Sequence, residues 1–507
     1  MYNRRMLWLG VLLIAVIVGM GLFLFIVRPP TALVLPLAAI LLALVAFAPQ
    51  LISGNFTDPL NAIFGTVIGA GFTRLSALIV AVVLGAVLAA QVEDAGIAKF
   101  LVRYAAEFSG DSPFMLTLLL TLVIALLFTS LGGLGAVIMV ATTALPLMLA
   151  MGLSPLSAGA VFLLALSLGG CLNPVNWQLY ISVLGLPQER IIPYALTLFV
   201  IFLAVTAAFV FVRVHREQGV RRPEMAATVA VALAFIAASA VILRYPAAFA
   251  VVKLALFWAL AAATALLTLA VLARLFTGAA FLRGRVHWLS IAALIYPLLL
   301  LLTANLGKSL NYFGEFSLGI VPALFLGVLY AHAASWTPSV AKATTGGEAN
   351  RVMRACYSGF KMAIPAILLL FGIGMLLQAT MLPEVTEAVR PLITGLIPRT
   401  PVLYIAAFTV FAPLALYRGP LNLYGMGSGI VGLLMEAGKL AAPLLMVAFF
   451  SVGMMQGVCD PTNTHNAWLA GFLKVRVLDL TRATIAWVWL VAFLGLLAGA
   501  IMFGGGF

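Results

Sequence analysis

Charged residues are scarce in this sequence: Asp, Glu, Lys and Arg make up 8% of its 507 residues, while 64% are hydrophobic. A soluble domain carries about three times that share of charge to cover its surface, so the composition excludes one. The hydrophobic residues fall in long runs, of which 7–27 and 31–48 are the first two. Each run has about the length that crosses a bilayer as a helix, and lipid offers the backbone no other hydrogen-bond partners.

Residues that would build disulfides, metal sites or nucleotide sites are also lacking. The three cysteines, Cys171, Cys356 and Cys459, show no C-x-x-C spacing, which excludes a disulfide framework and a zinc site. No G-x-x-x-x-G-K-[ST] loop occurs, which argues against a self-contained ATP-driven pump. Only Cys459, Asp460 and His465 bring titratable groups close together, so we expect neither an enzyme nor a cofactor.

Basic residues outnumber acidic ones and give a net charge of +13. We attribute this excess to membrane orientation and not to nucleic-acid binding, because Lys and Arg gather in short loops between hydrophobic runs. The loops at 213–222, 274–285, 335–361 and 474–482 fall on one side of the bilayer in our count, which the positive-inside rule makes cytoplasmic. Both termini then face outward, although two N-terminal arginines oppose this orientation. We expect a multi-pass protein of a bacterial inner membrane.

The pattern of runs predicts an all-α protein with about twelve transmembrane helices. The predicted spans are 7–27, 31–48, 73–91, 154–184, 191–213, 225–243, 247–274, 286–305, 316–334, 360–380, 440–473 and 482–503. Two further stretches, 113–150 and 401–438, are interrupted near their middle by glycine-rich sequence, which leaves arms that look too short to span. We interpret both as re-entrant hairpins, which are tolerated at membrane depth where protein or water covers the backbone.

An internal repeat relates the two halves of the chain. Residues of the same type recur at an offset of 287 at several polar or glycine positions. The pairs include Gln91 and Gln378, Gly132 and Gly419, Gly170 and Gly457, Pro174 and Pro461, and Asn176 and Asn463. We expect a first repeat at 1–215, two linking helices within 216–287, and a second repeat at 288–507. Five spans in the first repeat, followed by two linking helices, make the repeats inverted, as in many secondary transporters.

The spans 154–184 and 440–473 are too long and carry a polar Asn173-Pro174 or Asp460-Pro461 element in their middle. Proline removes a backbone donor and clashes with the preceding turn, so each helix is predicted to break there. A broken helix frees carbonyl oxygens for a cation and exposes a partly positive helix N-terminus to an anion. A simple proline kink with polar caps is the alternative.

Three ionisable residues stand out near these breaks. Asp460 could bind sodium, carry a proton, or form an ion pair with Arg418 at the tip of the second hairpin. The planar guanidinium of Arg418 suits a carboxylate, which favours an anionic substrate over a purely structural role. His465 could relay a proton, although a hydrogen-bonding role in the lining is commoner.

Two inverted repeats, each with a hairpin followed by a helix broken at Asn-Pro or Asp-Pro, resemble the ion transporter superfamily, with the citrate, gluconate and C4-dicarboxylate permeases nearest. The Ser-Asn-Thr tips of its divalent-anion symporters are absent. The resemblance implies a homodimer that works as an elevator. It implies a substrate site and a coupling site for sodium or protons. For the substrate we single out Gly132, Gly133, Asn176, Arg418, Gly419, Asn422, Thr462 and Asn463. For coupling we single out Asn173, Asp460 and His465, with sodium at Asn173 and Asp460.

We therefore expect cation-coupled symport of a small organic carboxylate. A sodium/proton antiporter is the alternative, with Asp460 and Asn173 as its ion site and Arg418 as a structural partner. A membrane-embedded enzyme would need a clustered catalytic set, which the sequence does not show. A channel fits two hairpins less well than alternating access does.

Overall fold

The computed structural model describes residues 4–27, 29–224, 226, 246–277, 286–335 and 347–506. Every regular element in these ranges is a helix, and no strand occurs in them. The predicted span 225–243 falls, except for residue 226, outside the described residues. So do most of the basic loop at 274–285 and much of that at 335–361.

The part of the chain up to residue 217 forms twelve α-helices and one π-helical stretch. The α-helices are α1 (Arg4–Ile26), α2 (Thr31–Ala46), α3 (Ala48–Ile52), α4 (Thr57–Asn61), α5 (Gly71–Arg74), α6 (Ser76–Asp94), α7 (Ile97–Ser109), α8 (Pro113–Phe128), α9 (Gly133–Ala150), α10 (Pro155–Cys171), α11 (Pro174–Leu184) and α12 (Gln188–Glu217). The π-helical stretch Ala62–Ala70 joins α4 to α5.

The rest of the described chain adds ten α-helices. They are α13 (Pro246–Thr277), α14 (Val286–Ser309), α15 (Ile320–Ser335), α16 (Gly347–Thr380), α17 (Pro383–Ile393), α18 (Pro401–Val410), α19 (Gly427–Ala437), α20 (Ala442–Cys459), α21 (Thr464–Leu473) and α22 (Val477–Phe503). Two 3-10 helices occur, at Ala412–Arg418 and Gly504–Gly506.

Nine helical segments of the described residues are long and apolar enough to cross a membrane, and two bent pairs bring the number to eleven. The chain is therefore an all-α polytopic membrane protein. The bent pairs are α10 with α11, at 58°, and α18 with the 3-10 helix Ala412–Arg418, at 43°. Helix α9 is one of the nine, which corrects our expectation that both arms of the first hairpin are too short. Its 18 residues rise about 27 Å at 1.5 Å each, close to the hydrocarbon thickness.

Two helices that our assignment of spans omitted are short and amphipathic. Helix α7 buries Ile97, Leu101 and Val102 on one face, while Lys99 and Arg103 are exposed. Helix α17 likewise buries residues on one face only. Apolar residues spaced by three or four positions are the signal that predicts such helices.

The chain forms two compact units, each assembled from separate stretches of sequence. Unit 1 comprises Met1–Val82, Val175–Val205 and Met362–Phe507, and unit 2 comprises Val83–Pro174 and Thr206–Lys361. Each unit thus draws on both predicted repeats. The inverted relation of the repeats, and the domain boundaries at 215 and 288, stay predictions.

Unit 1 has its core where α20 packs against α22. A methyl group on Gly499 would lie 2.2 Å from a side-chain carbon of Val447, and one on Gly495 would lie 2.7 Å from the Ser451 hydroxyl. The Ser451 hydroxyl also makes a short hydrogen bond with that of Tyr194, and both residues are buried. Glycine on α22 therefore allows a close approach that holds α20 in place.

Unit 2 has a comparable contact between α8 and α10. A methyl group on Gly169 would lie 2.2 Å from the carbonyl oxygen of Ala125, so only glycine lets these helices meet. Glu217 caps the start of α10: its carboxylate accepts hydrogen bonds from the Ser154 N–H at 2.8 Å, the Ser154 hydroxyl at 2.8 Å and the Ser157 hydroxyl at 2.6 Å. An acceptor there satisfies backbone donors that a helix N-terminus leaves unpaired.

Candidate functional site in the second hairpin and the broken helix

The break in the second long span lies between α20, which ends at Cys459, and α21, which begins at Thr464. The last four carbonyls of a helix have no partner within it. Here each of them accepts a hydrogen bond from a side chain. The bonds are Asn463 Nδ2 to Gln456 O at 2.6 Å, His465 Nε2 to Gly457 O at 3.1 Å, Asn466 Nδ2 to Val458 O at 3.0 Å, and Thr481 Oγ1 to Cys459 O at 2.8 Å. The carbonyls that we expected the break to free for a cation are thus already bonded.

Asp460 occupies the break itself and has no exposed surface. Its Oδ1 accepts hydrogen bonds from the Thr462 N–H at 2.9 Å and the Thr462 hydroxyl at 2.6 Å. Its Oδ2 accepts one from the backbone N–H of Arg418 at 3.3 Å. It is the only buried Asp or Glu among the described residues. Three donors thus satisfy this buried carboxylate without an ion pair.

Arg418 ends the 3-10 helix at the tip of the second hairpin. Tyr417 and Arg418 both have left-handed backbones, with φ values of 56° and 58°. Such a conformation costs about 1–2 kcal/mol for a residue with a side chain. The ring of Phe25 in α1 packs edge-on against Tyr417 at 4.8 Å and so supports the tip. The side chain of Arg418 is half-buried.

The guanidinium of Arg418 donates one hydrogen bond, from Nη1 to the carbonyl oxygen of Tyr424 at 3.2 Å. None of the ion pairs within 4 Å among the described residues involves Arg418. The ion pair with Asp460 that we considered from the sequence is therefore not formed. The carboxylate binds the backbone of Arg418, and most donors of its guanidinium are left for another acceptor.

Asn422 and Tyr424 shape the loop that follows Arg418. The Asn422 amide donates to the Ala415 carbonyl at 3.3 Å and accepts from the Tyr424 N–H at 2.8 Å, so both of its ends hold the loop itself. The Tyr424 hydroxyl donates to Oδ1 of Asn176 in α11 at 3.3 Å. Gly419 is required by packing, since a methyl group there would lie 2.1 Å from the Leu414 carbonyl oxygen.

Unit 2 contains the other break, at Leu172 and Asn173 between α10 and α11. The buried Asn173 amide donates to the carbonyls of Phe128 at 3.1 Å and Leu131 at 3.2 Å, where α8 ends. Gly132 and Gly133 follow at the start of α9 and are exposed. Gly133 has a φ of 82°, which favours glycine.

The same pair of positions joins hairpin to broken helix in both units. Leu131 and Arg418 are 287 residues apart, as are Asn173 and Asp460. In unit 2 the Asn173 side chain donates to the Leu131 carbonyl, and in unit 1 the Asp460 side chain accepts from the Arg418 N–H. The contact lies at equivalent positions of the two units, but the direction of its hydrogen bond is reversed. The reason is that an amide N–H donates, whereas a carboxylate only accepts.

Within unit 1 the structure brings together part of the predicted site. In unit 1 it links Arg418, Gly419, Asp460 and Thr462 through bonds or adjacency, and it gives Asn422, Asn463 and His465 to internal caps. Asn173, Gly132 and Gly133 belong to unit 2. The roles of all these residues in binding stay predictions.

Sequence analysis missed four residues of this region: Tyr424, Gln456, Asn466 and Thr481. Gln456 and Asn463 bond each other at both ends of the Asn463 amide. Asn466 is buried, and its Oδ1 has no hydrogen-bond partner among the described residues. Both residues lie in the polar segment that the sequence marks as a break, so proximity to Asp460-Pro461 is the signal that could have found them.

The sequence matches no protein-family model and no curated protein. Comparison of the fold finds the crystal structure of the Alcanivorax borkumensis YdaH transporter, described as having an unusual topology. The two chains are 15% identical, with a TM-score of 0.51 over 94% of this chain and 99% of that one. At this identity the likeness shows the fold alone. The chain described here is a polytopic helical membrane protein with the fold of that transporter.

Proposed function

We propose that this protein is a secondary transporter that couples the symport of a small organic anion to a cation gradient. The fold it shares with the YdaH transporter supports transport in general. Two hairpins that each contact a broken helix support a solute site at membrane depth. We place the protein in the bacterial inner membrane, with the bilayer and the anion as its partners.

The observation that carries the proposal is the guanidinium of Arg418. It sits half-buried at a glycine-rich tip, donates one hydrogen bond, and has no carboxylate within 4 Å among the described residues. A charge held inside the membrane without a direct ion pair is costly, which makes such a residue a candidate for function. A carboxylate ligand would supply the partner and accept two parallel hydrogen bonds.

Asp460 supplies the coupling site in this proposal. Its carboxylate already accepts three hydrogen bonds, and an oxygen pair of this kind takes about four. The Asn466 amide donates to the Asp460 carbonyl at 2.9 Å, so its unpartnered Oδ1 belongs to the same break. Oxygens of these two residues favour a hard cation, and sodium is the one we propose.

A sodium/proton antiporter remains the second candidate, because Asp460 is the only buried carboxylate of the described residues. A group of this kind can exchange sodium for a proton without any organic solute. Arg418 then serves only to shape the tip. The two proposals differ in whether a carboxylate moves.

The elevator mechanism and the homodimer are proposals that rest on the resemblance to the ion transporter superfamily. One structural feature supports a scaffold role for the linking region. Only 11% of the most apolar 18-residue stretch of the span Ala250–Phe276 is buried within the chain, so α13 presents its surface to lipid or to a second copy. Burial of such a face would stabilise a dimer.

The decisive experiment is uptake of labelled citrate, succinate, gluconate and lactate into proteoliposomes under an imposed sodium or proton gradient. We expect sodium-driven uptake of one acid. In Arg418→Lys the charge stays and the planar fork is lost, so KM should rise about tenfold to a hundredfold, the equivalent of about 1.5–3 kcal/mol. Arg482→Lys, at an exposed arginine that pairs with Asp479, is the matched control and should transport normally.

Two outcomes of this assay would contradict parts of the proposal. Sodium-dependent proton movement without uptake of any acid, abolished in Asp460→Asn and kept in Arg418→Lys, would replace the symporter by the antiporter. Uptake driven by protons and indifferent to sodium would keep the anion and overturn the assignment of the cation.

A further inference from the structure

An apolar cleft of about 300 Å³ lies within the second hairpin, away from the polar break. Its walls come from both arms of the hairpin: Phe408, Phe411 and Leu414 on one side, and Ile430, Leu433 and Leu434 on the other. Pro420 and Leu421 close it toward the tip, and Ile393 and Leu440 lie toward its base. Every lining residue is apolar, so the cleft offers nothing to an organic anion.

The cleft has a buried floor and an open mouth. Phe408 and Leu433 are 8% and 5% exposed, whereas Phe411, Leu414 and Leu396 are 56%, 47% and 82% exposed. In a membrane-spanning protein the exposed apolar side faces hydrocarbon. The volume would hold about ten water molecules, but a cavity lined only by apolar groups stays dry. The group that can enter this cleft is therefore the acyl tail of a lipid.

Two cations stand at the base of the cleft. Arg399 follows the lining residue Pro398, and Lys439 precedes the lining residue Leu440. Both are exposed, and neither pairs with a carboxylate within 4 Å among the described residues, including the exposed Glu436. Basic residues close to an apolar groove match the headgroup of an anionic phospholipid.

We propose that this cleft binds one acyl chain of an anionic phospholipid, with the headgroup held near Arg399 and Lys439. The chain lies between the two arms of the hairpin and fills space that no side chain of the described residues fills. Burial of methylene groups in the cleft gains little where the alternative is bulk lipid, so the charged contact confers selectivity. The site is independent of the solute that the protein carries.

Native mass spectrometry of the full-length protein in mild detergent tests the proposal directly. The probes are phosphatidylglycerol and phosphatidylcholine with the same palmitoyl chains. We expect the wild type to retain phosphatidylglycerol more tightly than phosphatidylcholine, and Leu434→Trp, which fills the cleft, to retain about tenfold less of either. Leu403→Trp is the matched control, since Leu403 is 58% exposed on α18 and does not line the cleft.

Further variants separate the tail from the headgroup. Leu434→Phe fills the cleft less severely and serves if the tryptophan variant does not fold. Arg399→Gln combined with Lys439→Gln should reduce retention of phosphatidylglycerol to that of phosphatidylcholine. Equal retention by the wild type and both Leu434 variants would overturn the proposal. So would a wild-type dimer that Leu434→Trp converts to a monomer with no change in bound lipid, since the cleft would then be an interface between copies.

Discussion

Asp460 Oδ2 accepts a hydrogen bond from the backbone N–H of Arg418, and in this way the carboxylate fixes the hairpin tip while the guanidinium points its donors elsewhere. In a direct ion pair, the side chains of Arg418 and Asp460 would neutralise each other. In the symporter that we propose, the observed arrangement would leave Arg418 for an anionic ligand and Asp460 for a cation. The two could then bind close together with each neutralising a fixed protein charge, which favours their joint movement.

Asp460→Asn should weaken this tip contact. If the new amide turns its oxygen toward Thr462, its NH₂ group lies against the Arg418 N–H. If it turns the other way, its NH₂ group lies against the Thr462 donors. One donor is left unsatisfied in either case, which costs about 1–3 kcal/mol. We expect a lower Tm in detergent and loss of sodium-driven uptake. Unchanged Tm and uptake would contradict the assignment.

Asn173→Asp should destabilise the protein for the opposite reason, because it replaces a hydrogen-bond donor by an acceptor. The Asn173 amide donates to two carbonyls, and a carboxylate would place negative oxygens against both. We expect destabilisation of about 1–3 kcal/mol or more, read as a lower Tm. Asn173→Gln keeps the donor and is the milder comparison. A carboxylate tolerated at this position would show that the break in unit 2 is held by other contacts.

Sodium should stabilise the purified protein, if Asp460 and Asn466 bind it. A ligand present at about a hundred times its Kd contributes about 2.7 kcal/mol to the folded state. We expect NaCl, but not choline chloride at the same ionic strength, to raise Tm in the wild type and not in Asp460→Asn. Equal shifts with both salts would count against a sodium site.

His465 should behave as a cap and not as a proton relay. Its Nε2 lies 3.1 Å from the Gly457 carbonyl, which accepts only from a protonated nitrogen. His465→Gln keeps a donor and should preserve the coupling of uptake to the cation. His465→Leu leaves the carbonyl unpaired and should lower Tm, at a cost of about 1–3 kcal/mol. A changed ratio of cation to solute in His465→Gln would show that the histidine takes part in coupling.

Gly425, like Gly419, should not tolerate a side chain at the second tip. A methyl group there would lie 2.2 Å from the carbonyl oxygen of Arg418, so Gly425→Ala must displace the tip. Gly132→Ala is the control for folding, because a methyl group at Gly132 meets no atom within 4 Å. We expect loss of uptake in Gly425→Ala with a normal Tm in Gly132→Ala. Normal transport by Gly425→Ala would show that the tip can rearrange freely.

Much of the architecture could be predicted from the sequence because bilayer thickness dictates the length of apolar runs. The helix ends at Cys171 and Cys459 fall within the polar segments that proline and asparagine mark. The amphipathic helices α7 and α17 were not predicted, because a search for long apolar runs does not detect a helix with one polar face. Helix α9 was judged too short as one arm of a hairpin, although its 18 residues are long enough to cross the bilayer.

The partners of the polar residues could not be predicted, because they depend on distances across the fold. Asn422, Asn463 and Asp460 look alike in sequence as oxygen ligands. The amides of Asn422 and Asn463 bond to groups of their own segments, whereas the Asp460 carboxylate also accepts from the hairpin tip. The direction of the hydrogen bond at Asn173 and Asp460 follows from chemistry once the contact is known. The contact itself is visible only in the structure.

The four side chains bonded to the last carbonyls of α20 bear on the energetics of binding. Because these bonds hold the break in one defined shape, it has little conformational freedom to lose when a ligand arrives. Backbone amides on both sides of the break should accordingly resist hydrogen exchange as strongly as those in the helices. Any ligand-induced rearrangement then falls to the hairpin, whose left-handed Tyr417 and Arg418 are the residues with conformational energy to release.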